Sequence, residues 1–153
     1  MEKLDAATLR LGNNIFHNGK VVRVVSLDWD LEDESEPLIK VDTLGMEKNA
    51  IGGSWKKFIE LNETNFNPIP LTEEWLLKMG LKETFDECSF EISVSINNRH
   101  SVINASWEPE ISVDIYTTNP YKEDGSWLNT NVKYVHQLQN LYFAITGEEL
   151  IIK

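Results

Sequence analysis

Cysteine occurs once in the 153 residues, as Cys88, so no intrachain disulfide framework can staple this fold. Such sparse use of cysteine fits a reducing cytosol, and a cytoplasmic protein is the expectation. Positive charge is also scarce: 14 Lys and Arg stand against 25 Asp and Glu, for a net charge of −11. A chain of that sign repels phosphate at long range, which disfavours nucleic acid and anionic membrane as partners. The basic residues are scattered, with Lys56-Lys57 the only adjacent pair. No apolar window approaches the length that spans a bilayer. Met1 to Thr8 has neither the basic start nor the long apolar run of a signal peptide.

Chemical motifs are missing as well. His17, His100 and His136 are far apart, and none forms a His-x-x-x-His pair, while one cysteine allows no Cys-x-x-Cys. Gly52-Gly53 lacks the pattern and lysine of a phosphate loop. Gly53-Ser54-Trp55 and Gly125-Ser126-Trp127 lack the Gly-x-Ser-x-Gly elbow of hydrolases. No catalytic residue, metal ligand or cofactor is assigned. An active site assembled from distant residues leaves no local motif, so the question of enzymatic activity stays open.

What is present is material for a core. Hydrophobic residues make up 41%, including five Trp, four Tyr and six Phe, too many for a disordered chain. Length allows one domain, or two small ones. Leu11 to His17 and Lys20 to Val25 flank Asn18-Gly19, and Asn-Gly between strand-like runs is a strong hairpin signal because both turn residues need φ > 0. Residues 38–43 and Trp55 to Leu61 read as further strands, separated by a loop from Gly45 to Gly53. Four short strands in about 60 residues suggest a small SH3-like β-barrel over residues 1–67. Between them Asp28 to Glu36 carries six carboxylates in nine residues. Self-repulsion makes this a solvated loop. Asp28, Asp30 and Glu32 have the alternate spacing of a calcium loop, but Asp33 and Ile39 stand where glycine and glutamate are required.

Asn67-Pro68-Ile69-Pro70 marks a joint, since proline stops a ladder. Residues 68–153 then form the second part. Thr72 is the expected N-cap of a short helix from Glu73 to Met79, with Gly80 ending it. Residues 88–116 alternate with period two. Cys88, Phe90, Ile92, Val94 and Ile96 point one way, followed by Ile103, Ala105 and Trp107, and by Ile111, Val113 and Ile115. This predicts a three-stranded antiparallel meander with one buried face. Residues 117–131 read as a polar loop. A helix from Tyr134 to Thr146 follows, with Asn129, Thr130 or Asn131 as N-cap and Gly147 as stop. Val135, Leu138, Leu141, Tyr142 and Ile145 share a stripe with Tyr134 that should cover the sheet. The fold class is therefore α+β: a barrel, a linking helix, then a meander under a C-terminal helix.

His136, Gln139, Asn140 and Phe143 are left on the other face of that last helix. Either a second layer of the protein covers them, or they bind a partner with Phe143 as the anchor.

Two segments, Pro68 to Gly80 (Pro-Ile-Pro-Leu-Thr-Glu-Glu-Trp at its head) and Lys133 to Leu150 (with Tyr-Val-His-Gln-Leu-Gln-Asn-Leu-Tyr-Phe), resemble a family of small uncharacterised proteins. Prophages and mobile elements of Gram-negative gut anaerobes carry them. The start from Leu11 to Lys20 looks similar too, so the resemblance runs over most of the chain. It implies a biological context and no reaction or ligand. The expected role is a non-enzymatic protein-binding or adaptor module, with an unknown protein as partner and a homodimer as an option through any uncovered apolar face. The alternatives are an acidic DNA mimic that blocks a host nucleic-acid enzyme, and a nucleic-acid-binding barrel using Arg10, Lys20 and Arg23.

Overall fold

The computed structural model describes residues 4–28, 38–43, 66–85, 88–96, 99–107, 111–118 and 125–153. The fold is α+β, with antiparallel sheets and a C-terminal helix. The chain divides into two compact units, Met1–Ile69 and Pro70–Lys153.

In the first unit, β1 (Asn14–His17), β2 (Lys20–Asp28), β3 (Leu38–Thr43) and β4 (Phe66–Asn67) form a sheet in the order β3-β2-β1-β4. The β1–β2 turn is the expected one. Asn18 and Gly19 sit at φ 49° and 75° and bring His17 opposite Lys20. Left-handed backbone at both positions matches the twist of the strands that it joins. Before β1, Asn13 is wholly buried; its backbone carbonyl accepts from Val24 N and its Oδ1 from Arg10 N. Leu4, Leu9, Ile15, Val22, Val24, Val41 and Phe66 make the core. A register shift between Val24 and Ser26 sets Val25 apart as a bulge; Val22 and Val24 are buried, and Val21 and Val25 half-buried.

No closed barrel is found among the described residues: β3 and β4 end this sheet. The strand expected at Trp55 to Leu61, the Gly45 to Gly53 loop and all but the first residue of the acidic run lie outside the described residues. β4 was not expected, because two residues ahead of Pro68 carry no periodicity.

The second unit comprises α1 (Glu73–Lys78), β5 (Lys82–Glu83), β6 (Ser89–Ile96), β7 (Arg99–Trp107), β8 (Ile111–Thr118), β9 (Gly125–Thr130) and α2 (Val135–Thr146). Thr72 caps α1 by accepting from Trp75 N, and the turn closes with Gly80 at φ 85° and Leu81 N donating to Leu76 O. The sheet is a meander in chain order β5-β6-β7-β8-β9. It has five strands instead of three. β5 is only two residues long, and β9 lies in what the sequence presents as a polar loop. Gly-Ser-Trp-Leu-Asn-Thr has no alternation to signal a strand; pairing along β8 makes it one.

Register explains the two faces. One row runs Ile92, Ile103, Ile115, Leu128; its neighbours run Phe90, Ala105, Val113, Thr130 and Val94, Ser101, Thr117, Ser126. On the other face Lys82, Glu91, Asn104, Asp114 and Asn129 stand in line, beside Ser93, Val102, Tyr116 and Trp127. Cys88, expected with the inward set, is exposed just before β6.

Helix α2 packs against β6. Val135 and Leu138 are wholly buried, and Leu141, Tyr142 and Ile145 half-buried. None of the three expected N-caps serves. Asn129 and Thr130 belong to β9, and the N-cap is Tyr134. Gln137 does the capping instead: its Oε1 accepts from Lys133 N at 2.8 Å and Tyr134 N at 3.2 Å. Gly147, at φ 74°, ends the helix as expected. The chain then returns. Leu150 is buried, its carbonyl accepts from Gln139 Nε2, and Lys153 N donates to Lys78 O at 2.9 Å. Leu71 N donates to Lys133 O, and Pro70 bridges Tyr134, so the entry to α1 is held to the entry to α2.

Truncating Leu138, which is wholly buried on α2, removes both transfer energy and packing. Leu138→Ala is expected to lower unfolding free energy by roughly 2–5 kcal/mol in urea titration.

Candidate functional site

The four residues left over on α2 do not form an open surface. His136 and Gln139 are buried, at 2% and 1% exposure. Asn140 and Phe143 are half-buried. The Tyr134 ring lies parallel to the His136 imidazole, centroids 5.9 Å apart. Gln139 spends its amide on the Leu150 carbonyl. As a contact face for a partner, this side of the helix therefore offers at most the exposed parts of Asn140 and Phe143. Polarity made His136 and Gln139 look like surface residues; the returning tail gives Gln139 its hydrogen bond, and so a place inside.

Burial has an electrostatic consequence. Desolvation pushes the His136 pKa down from 6.5 to about 4, so the ring is neutral at pH 7. A neutral imidazole has no charge with which to pair an anionic ligand.

His17 is on β1, its ring 4.6 Å from that of Phe66, while His100 is exposed on β7 and His136 lies on α2. Among the described residues, no group of three or more His, Cys, Asp or Glu could hold a metal ion. Among them, too, no helix is long and apolar enough to cross a membrane.

The open chemistry lies at β9. Trp127 and Leu128 are 63% and 61% exposed, and among the described strands nothing pairs with the far side of β9. An unpaired edge offers a row of backbone donors and acceptors, and proteins ordinarily blunt it with charge, proline or brevity. The other edges among the described strands obey this rule. β5 is two residues, Lys82 and Glu83, both exposed; β4 is two residues followed by Pro68; β3 contains Lys40 and Asp42. β9 is six residues long and has no charge and no proline.

β9 is also firmly seated. Tyr116 and Trp127 pair across the strands with centroids 4.8 Å apart, and the Tyr116 ring extends over Gly125, where an added Cβ would come within 2.1 Å of it. One row on, Asn129 Nδ2 donates to Asp114 Oδ1 at 2.8 Å. Cross-strand aromatic contact and a glycine under a ring are both devices that pin an edge strand. An exposed tryptophan in an uncharged, undefended edge could have been noticed in the sequence, had residues 125–130 been recognisable as a strand.

No protein-family model, no curated protein and no solved structure matches this chain.

Two outcomes follow from this geometry. Below pH 6.5 the unfolded chain binds a proton at position 136 that the folded chain refuses until about pH 4, so stability falls as pH falls through that window. Comparing His136→Gln with the parent by urea titration at pH 7 and pH 4 isolates the effect. The parent is expected to lose roughly 3 kcal/mol more than the variant. Gly125→Ala must displace the Tyr116 ring, so it should weaken the near-ultraviolet circular dichroism of the Tyr116–Trp127 pair and destabilise by about 1–3 kcal/mol.

Proposed function

We propose that this chain is a non-enzymatic protein-binding module that takes its partner by strand addition at β9. The observation that carries this is the six-residue edge without charge or proline, bearing exposed Trp127 and Leu128. Strand addition draws affinity from main-chain hydrogen bonds and specificity from alternate side chains. Here the alternate side chains are an indole on one face and a leucine on the other. An adaptor of this kind fits the context that the resemblance to prophage and mobile-element proteins suggests, and the sparse cysteine fits a cytoplasmic setting. An SH3-like arrangement remains the reading of the first unit, supported by its short strands and the tight Asn18-Gly19 turn.

The acidic-decoy alternative rests on the net charge of −11. Among the described residues, Glu74 lies 2.6 Å from Lys78, Asp114 accepts from Asn129 and Glu91 stands opposite Lys82. These three carboxylates have local counterparts. For the nucleic-acid alternative, Lys20 and Arg23 are exposed while Arg10 is half-buried. The edge carries the stronger argument.

Leu128→Lys places on β9 the charge that protected edges carry. Position 128 is exposed in the single chain, so the variant should stay folded, as circular dichroism checks. Tagged protein carrying it should lose the partners that the parent captures from host extract, while Leu77→Lys, at an exposed site on α1, should keep them. Full capture by a folded Leu128→Lys protein would overturn the proposal. Loss of capture by a folded Phe143→Asp protein alone would return the site to α2.

A further inference from the structure

Resting on the strand-addition reading, we infer that the strand received at β9 is the β9 of a second copy of this chain. Two features of the edge point to a copy.

The first is charge. Two chains of −11 repel each other at long range, and a seam that adds no charge of its own brings them together at least cost. Among the described strands, β9 is the edge that satisfies this, since β3 and β5 both carry charged residues and β4 is two residues long.

The second is the row that ends at Leu128. Ile92, Ile103, Ile115 and Leu128 lie side by side on the covered face of the sheet. Ile103 is wholly buried and Ile115 nearly so, at 8%, but Leu128 stands 61% exposed as the unfinished end of an apolar row. The strand that completes it must bring an apolar residue to that position with uncharged residues on either side, and β9 has this pattern itself.

Symmetry then fixes the register. A two-fold axis perpendicular to the sheet keeps the covered faces of both copies on the same side. Directly opposed residues must share a face, so the axis passes beside one residue and not between two. Centred on Leu128, it sets Leu128 against Leu128 of the second copy, Trp127 against Asn129 and Ser126 against Thr130. The apolar row then runs unbroken through the seam, and Trp127 lies over an amide with no charge opposed. Antiparallel pairing of the two β9 strands joins the two meanders into one sheet.

Sedimentation equilibrium of the full chain tests this, with parent and Leu128→Lys compared after circular dichroism has shown both folded. The parent should have twice the monomer mass and the variant the monomer mass. In a Cys88→Ser background, Leu128→Cys should be joined to its copy by a short thiol-to-thiol cross-linker. Thr130→Cys should not, because it lies opposite position 126. A parent that stays monomeric overturns the inference, as does a dimer indifferent to Leu128→Lys, or cross-linking equal at 128 and 130. The underlying reading fails separately. If the parent is monomeric but Leu128→Lys still abolishes capture from host extract, strand addition stands with a foreign partner; if capture survives as well, both are wrong.

Discussion

The second unit depends on one requirement: a sheet with one apolar face needs a cover. Phe90, Val94, Ile103, Ala105 and Val113 can leave water only if something lies over them, and α2, packed against β6, supplies Val135 and Leu138 for this purpose. Other features of the unit serve the placing of that helix. Gln137 fixes its start, Gly147 its end, and the chain beyond turns back so that Leu150 is buried and Lys153 bonds to the end of α1. The hydrogen bond from Leu71 to Lys133 holds the other end. Each contact contributes about 1 kcal/mol, which is small singly, but together they give an amphipathic helix of twelve residues one position.

The same requirement decides what becomes of the helix's polar residues. Once the tail folds over α2, Gln139 has a carbonyl to bond and can be buried at little loss, whereas an amide buried without a partner would be strongly destabilising. His136 is buried by giving up its charge, since a neutral imidazole enters the interior far more easily than an imidazolium. A face that reads as a recognition surface is thereby mostly converted into interior, and the exposed large side chains of the sheet are found at its far edge, as Trp127 and Leu128.

That edge shows how position changes what a short polar segment presents to its surroundings. Six uncharged residues in a loop would be inert. Registered along β8, they expose a backbone ladder, continue an apolar row on one face and an aromatic pair on the other. The contrast with the charged or very short edges elsewhere gives the interpretation its weight, because protection is the rule from which β9 departs.

Local chemistry is legible in the chain. The Asn18-Gly19 hairpin, the Thr72 cap, the β3 strand, the alternation of β6 to β8 and the stop at Gly147 follow from turn geometry, capping and periodicity, which act over a few residues. Net charge likewise fixes what the protein repels. Features settled by distant partners are not legible. β4, β5 and β9 are strands because a longer neighbour pairs with them. Gln137 caps α2 where three better-looking candidates stand upstream, because two of those are taken into β9. Gln139 is interior because residue 150 returns to it. The sequence by itself determined that there would be hairpins, a meander and an amphipathic helix, since dihedral preference and side-chain period need no tertiary context. Only the tertiary structure decided which polar residues would be buried and which edge left open, because both depend on partners far away along the chain.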